Sequence, residues 1–342
     1  MSFPLTLLVV VLIFGFIIFI HELGHFTVAK LCGVLVHEFS MGMGPALFKK
    51  QWGETTYALR LFPIGGFVAV EGEDEDSDNE RAINRCPVWQ RIIFVAAGAF
   101  MNVLFGFLLM VVLVSSQDLV STTVVAEFQE GAQSSQILQV GDEILEINGA
   151  DINIGNDIAF ELISVGTEAI DLTIRRDGEI MELEDVPFPT QTVDGITVPV
   201  MDFMVYGEEK TVLNTLGEAW HMTTAVVKQV WDSFAKLITG YYKVNNLSGP
   251  LGVSSAIGEA AAIGMESLIM MVAFITINIG VFNLIPLPAL DGGRLFFLLI
   301  EAVRGKPIPT KYEGFIHGAG LILLMLLMLF VTFNDVIKLI FK

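Results

Sequence analysis

Cysteine is nearly missing from this 342-residue chain. Cys32 and Cys86 stand alone, neither in a Cys-x-x-Cys pair, so neither a disulfide framework nor a cysteine zinc site can be built from them. Basic residues are scarce as well. Nineteen Lys and Arg against 38 Asp and Glu leave a formal charge of −19, which repels a polyanion and excludes nucleic acid as a partner. A third shortage is local: no charged residue occurs between Met1 and Ile20. With 53% hydrophobic residues and a mean hydropathy of +0.65, the chain is too apolar for an ordinary soluble enzyme. The bilayer is the expected solvent for much of it.

Four uncharged stretches come close to the ~20 residues needed to cross hydrocarbon: Pro4 to Ile20, Ile92 to Ser116, Ser267 to Leu290, and Gly314 to Asn334. The first lacks the positive flank and small-residue cleavage site of a signal peptide, and reads as a retained helix. Lys30, Lys49, Lys50, Arg60, Arg81, Arg85 and Arg91 cluster between the first two stretches, whereas no Lys or Arg follows the second until Arg175. Cytoplasmic loops collect such residues. The loop from 31 to 88 is therefore expected inside, with both termini and the acidic segment from about 117 to 266 outside.

Within that outer segment, "VVAEFQEGAQSSQILQVGDEILEINGADI" (124 to 152) alternates β-like runs with Gly-Asp and Asn-Gly turns. A helical stretch near Asn156 to Ile163 and a strand "AIDLTIRRDGEI" follow, giving a small mixed domain. From Leu213 to Tyr242, Leu216, Trp220, Val227, Val230, Trp231, Phe234, Leu237 and Tyr241 recur at helical spacing. Such a helix suits the membrane surface or the face of the outer domain. In the inner loop, "TTYALRLFPIGGFVAVEGE" (55 to 73) places two β-prone arms around Pro63, Gly65 and Gly66, predicting a hairpin that dips toward the bilayer. The acidic run "EGEDEDSDNE" after it reads as a solvated linker.

The uncharged first stretch ends in "HELGH". Residues four apart share a helix face, so His21 and His25 can offer ring nitrogens to one ion, with Glu22 about 100° round as a general base. Zn²⁺ suits this pair, since a catalytic zinc takes three protein ligands and leaves one position open. An ionisable residue in a span costs roughly 2.5–3.5 kcal/mol, and a metal compensates the cluster. Candidates for the third ligand are His37, His317 and Asp291, with His221 on the wrong side of the membrane. Asp291 is the best placed. It closes "NLIPLPALDGGRL" (283 to 295), where Pro286 and Pro288 break the helix and Gly292 and Gly293 permit a tight turn.

This combination resembles the site-2 protease family of intramembrane zinc metalloproteases, most closely bacterial members with one PDZ domain. The likeness runs through "HELGH", "GMGP" (42 to 45), "GAFMN" (98 to 102), "SGPLGV" (248 to 253) and "NLIPLPALDGG" (283 to 293). It implies His21, His25 and Asp291 as zinc ligands, Glu22 as catalytic acid/base, and Asn278, Asn283 and Asn102 as residues that hold the substrate, a role for which interhelical hydrogen bonding is the alternative reading of the asparagines. The implied fold is a polytopic α-helical membrane protein with four transmembrane helices, an inserted extracytoplasmic α+β PDZ-like domain and a cytoplasmic-side β-hairpin. Its parts run 1–116 (two spans, HELGH, inner loop), 117–206 (PDZ-like), 207–266 (amphipathic surface segment) and 267–342 (two spans, LDGG). The implied substrates are single-pass membrane proteins shortened first by an upstream site-1 protease, such as anti-sigma factors, or signal-peptide remnants. A noncatalytic PDZ scaffold and a metal transporter are the competing classes; the scaffold gives Glu22 no task, and a transporter needs a continuous polar path that the fourth stretch, with only His317, does not offer.

Overall fold

The structure, a computed structural model, describes residues 3–73, 77–166, 169–193, 196–240 and 249–340. Tyr241 of the Trp-rich stretch, Ser248 of "SGPLGV" and residues 74–76 of the acidic run lie outside the described residues. The chain begins with α1 (Phe3–Leu31), β1 (Val36–Trp52), β2 (Thr55–Val70) and α2 (Val88–Ser116). Then come β3 (Leu119–Phe128), β4 (Glu143–Ile147), β5 (Ala150–Asp151), α3 (Gly155–Val165), β6 (Leu172–Arg176), β7 (Glu179–Leu183), β8 (Thr190–Val193), β9 (Ile196–Pro199) and β10 (Phe203–Glu209). Helices α4 (Val212–Ile238), α5 (Pro250–Ile263), α6 (Met265–Leu284), α7 (Asp291–Arg304) and α8 (Thr310–Ile340) complete it. Among the described residues, α1, α2, α6 and α8 contain the four stretches long and apolar enough to cross a membrane. Two compact units result: Met1–Leu109 with Val226–Lys342, and Met110–Ala225.

In the first unit, α1 and α2 meet backbone to backbone. A Cβ on Gly24 would lie 2.4 Å from the Ala97 carbonyl oxygen, and one on Gly280 of α6 would lie 2.8 Å from that of Ala99. Between apolar helices in lipid, such close packing replaces the hydrophobic drive available in water. Helix α5, which the sequence reading merged into a single surface segment, packs its buried Ile257 against Val10, Ile17 and Ile275. Its N-cap, Gly249, has no capping side chain, and Asp335 of α8 accepts the Gly252 N–H at 3.0 Å instead.

The expected hairpin at 55–73 is corrected. Its two arms do not pair with each other; residues 38–41 of β1 lie between them, facing 66–69 on one side and 56–59 on the other, while 46–52 pair with 55–60. Arg60 is the reason. Its guanidinium donates to Ser40 Oγ (2.7 Å), the Gly44 carbonyl (2.7 Å) and Glu38 Oε1 (2.5 Å), tying the first arm to the first half of β1. Glu54, at the β1–β2 turn, binds Arg81 and Lys30 of α1, and these cations hold its carboxyl down at about 2.

The third span is also shorter than expected. Helix α6 stops at Leu284, residues 285–290 run through the two prolines, and Asp291 opens α7. Gly292 and Gly293 are helical rather than turn residues. They admit the preceding carbonyls of Ile285 and Leu287, which a Cβ would meet at 2.0 and 2.6 Å. The left-handed residue in this connection is Ala289, at φ +76°.

The second unit is β-rich, with strand order β10-β3-β4-β6-β7 and β5 paired to β4. Alternating residues Ile144, Leu172 and Ile174 meet Ile158 and Leu162 of α3 in its core. The run expected as one strand over 169–180 is a hairpin, because Asp177 and Gly178 both take positive φ (53° and 87°) and turn the chain between β6 and β7. Asp202, 3% exposed, accepts from the N–H groups of Gln133 and Ser134 (2.7 and 3.1 Å) and from Ser134 Oγ (2.5 Å), anchoring the start of β10. Asp202→Ala strands these donors and is expected to cost about 3 kcal/mol. Limited proteolysis of the full chain on heating should show the inserted unit cleaved at lower temperature; an unchanged cleavage midpoint would contradict this role.

Candidate metal centre

Helix α1 places His21 and His25 one turn apart, and the break after α6 brings Asp291 beside them from more than 260 positions along the chain. The facing atoms are His21 Nε2, His25 Nε2 and Asp291 Oδ2. The nitrogens are 3.2 Å apart, and the oxygen lies 3.0 Å from the first and 3.4 Å from the second. His25 Nδ1 donates to the Phe94 carbonyl of α2 at 2.9 Å, so in the neutral ring Nε2 carries a lone pair. Asp291 Oδ2 is buried with no hydrogen-bond donor among the described residues. His25 Nε2 and Asp291 Oδ2 are thus two acceptors that face one another, with His21 Nε2 beside both. Tetrahedral ligands 2.0–2.1 Å from a zinc ion sit about 3.3 Å apart, so this donor set fits that ion without rearrangement.

The space is kept open by α2. A Cβ on Gly98 would lie 2.4 Å from His25 Nε2 and 2.7 Å from His21 Nε2, filling the position the three atoms surround. One turn on, Asn102 is fully buried, and its amide faces His21 Nδ1 at 3.5 Å. Amide nitrogen and oxygen are interchangeable in such a contact. With Oδ1 toward the ring it accepts the Nδ1 proton and leaves Nε2 free. Asn102 is thus buried where α2 faces α1, within reach of the His21 ring.

Glu22 is half-buried beside β2: a Cβ on Gly66 would come within 3.0 Å of its Cγ. Asn278 donates to the Phe274 carbonyl of its own helix at 2.7 Å, and Asn283 is half-buried in the last turn of α6. His37 pairs with Glu71 at 2.6 Å and takes no part in the cluster. A cavity of ≈ 640 Å³ opens onto Asp291, lined by Arg91, Arg294, Glu301, Glu313 and His317 among others. Arg91 pairs with Glu301, and Arg294 with Glu73, so paired charged groups line this cavity. Sequence reasoning did not assign Phe94 or Gly98. The signal for Gly98 is its i, i+4 relation to Asn102, which stacks both on one face of α2.

The model of Peptidase family M50 matches residues 9–327. A protein of Clostridium perfringens named for zinc metalloprotease activity is 35% identical over 327 residues, covering 95% of this chain and 97% of its own. One of Fusobacterium nucleatum with the same kind of name is 35% identical over 343 residues, covering 98% and 99%. The regulator of sigma-W protease RasP of Bacillus subtilis is 30% identical over 418 residues, covering 98% and 99%. With a family match running from the uncharged first helix into the last apolar one, the chain belongs to peptidase family M50, the site-2 proteases, and is a zinc metalloprotease of the membrane.

Proposed function

We propose that His21, His25 and Asp291 hold the zinc, that Glu22 is the acid/base, and that the enzyme cuts transmembrane segments of single-pass membrane proteins. The convergence of two imidazole nitrogens and a carboxylate oxygen at 3.0–3.4 Å carries this reading. Zinc bound there supplies Lewis acidity toward a peptide carbonyl and acidifies water toward neutral pH. Glu22 takes the proton from the attacking water on its carboxylate and returns it to the amine that leaves. The Phe94 carbonyl and Asn102 fix the two imidazole tautomers, as outer-shell partners of metal-bound histidines do.

A helical substrate hides its carbonyls in its own hydrogen bonds and must unwind to be cut. Residues 66–70 support a place for the unwound chain. They pair with β1 on one side only, no further strand joins them among the described residues, and Gly66 touches Glu22. Strand addition along that edge carries a scissile bond past the base. Asn278 and Asn283 hold remaining amides of the substrate.

The distribution of Lys and Arg supports a cytoplasmic position for residues 31–88 and an extracytoplasmic one for both termini and the inserted unit. That unit's sheet with the single helix α3 supports a PDZ-like identity. Together with α4 it acts as a size filter admitting substrates already trimmed by a first protease. Anti-sigma factors fit this description, in keeping with the sigma-W relative's name, as do signal-peptide remnants.

Glu22→Gln should lower cleavage of a single-span peptide by about 10²–10⁴-fold in detergent while bound zinc stays near one per chain; activity kept by the variant would remove Glu22 from the chemistry. Gly98→Ala places a methyl group in the metal position and should abolish both zinc binding and cleavage, measured by metal analysis of the purified protein. For the size filter, deletion of the inserted unit should raise cleavage of an untrimmed substrate toward that of the trimmed one. Equal cleavage of the two by the intact enzyme would refute the filter.

A further inference from the structure

Ala289 holds φ +76°, a left-handed conformation that residues with a Cβ keep only when their surroundings impose it. It stands two residues before Asp291, so its backbone sets where the Asp291 carboxylate points. Nothing local holds that carboxylate's inner oxygen, because Oδ2 has no hydrogen-bond donor among the described residues. The constraint comes from α8. The Ala289 N–H donates to His317 Nδ1 at 3.1 Å. The His317 ring lies 5.8 Å from that of Phe297 on α7, and a Cβ on Gly293 would reach its Cε1 at 3.1 Å. One turn further, α8 presses on the same connection: a Cβ on Gly320 would lie 2.2 Å from Pro288 Cβ.

We propose that His317 is a positioning residue of the zinc site: an acceptor on the last helix that locks the left-handed turn at Ala289 and thereby aims Asp291 at the two imidazoles. The role requires Nδ1 to be unprotonated and any ring proton to sit on Nε2. It rests on the reading of Asp291 as a zinc ligand. It also gives α8 a task beside the centre, where the helix supplies no ligand.

The test is zinc retention by the full chain in detergent, measured as metal bound per chain against increasing chelator. His317→Phe keeps the ring against Phe297 and removes the acceptor; it should release zinc at about tenfold lower chelator. His317→Asn, whose Oδ1 occupies the place of Nδ1, should retain zinc within about twofold of the parent. Asp291→Ala tests the underlying reading and should lose zinc throughout. Wild-type retention by His317→Phe would overturn the proposal, as would equal loss in the Phe and Asn variants, which would assign the effect to ring shape. Undiminished zinc in Asp291→Ala would instead overturn the ligand reading, and the proposal with it.

Discussion

Two imidazole nitrogens and a carboxylate oxygen facing one another at 3.0–3.4 Å repel unless a cation sits among them. At the end of a membrane helix, where little water screens that repulsion, the constraint governs much of the neighbouring structure. Each ring has its other nitrogen turned to α2, His25 Nδ1 to the Phe94 carbonyl and His21 Nδ1 to the Asn102 amide. For α2 to reach both rings it must touch α1, and it does so where Gly24 meets Ala97. The space the three atoms surround is then the absence of a side chain at Gly98. Chemistry, ring orientation and helix spacing are thus one problem solved on one face of α2.

The same requirement shapes the far side of the centre. A carboxylate arriving from α6 along a continuous helix would lie wherever the helical period put it. Breaking the helix at Pro286 and Pro288 and restarting it at Asp291 separates the direction of the ligand from the direction of the span. The restart is tight, with Gly292 against the Ile285 carbonyl, so the connection has little freedom once α6 and α7 are placed.

Helical spacing makes His21, His25 and Glu22 legible in sequence, and the paired prolines do the same for Asp291. Both signals are local. The pairing of β1 with β2 is not legible, because alternation tells which face a residue occupies and never which strand lies beside it. Arg60 decides that, through contacts to Glu38, Ser40 and Gly44 that no periodicity announces. Asn102 is legible only in part for a related reason: an asparagine in a span signals a hydrogen bond, but the partner depends on which helix faces it, and here His21 of α1 lies within reach. Gly292 and Gly293 read as turn formers, whereas the conformation that needs glycine falls on Ala289 and the glycines serve close approach.

Helix α8 shows why polar contacts matter more here than their number suggests. Most of its middle is open, with Leu323 69%, Met325 59% and Leu329 67% exposed, and such surfaces are equally content against lipid. Dispersion alone gives the helix no unique position. Polar side chains add to it: His317 at the Ala289 turn and Asp335 at the first turn of α5, roughly 27 Å apart along the helix. Each finds in the protein a partner that hydrocarbon cannot offer, and leaving either unpaired is costly in that solvent. A helix held near its two ends keeps a fixed relation to the Ala289 turn at one of them while residues 321–330 stay largely open to an apolar surrounding.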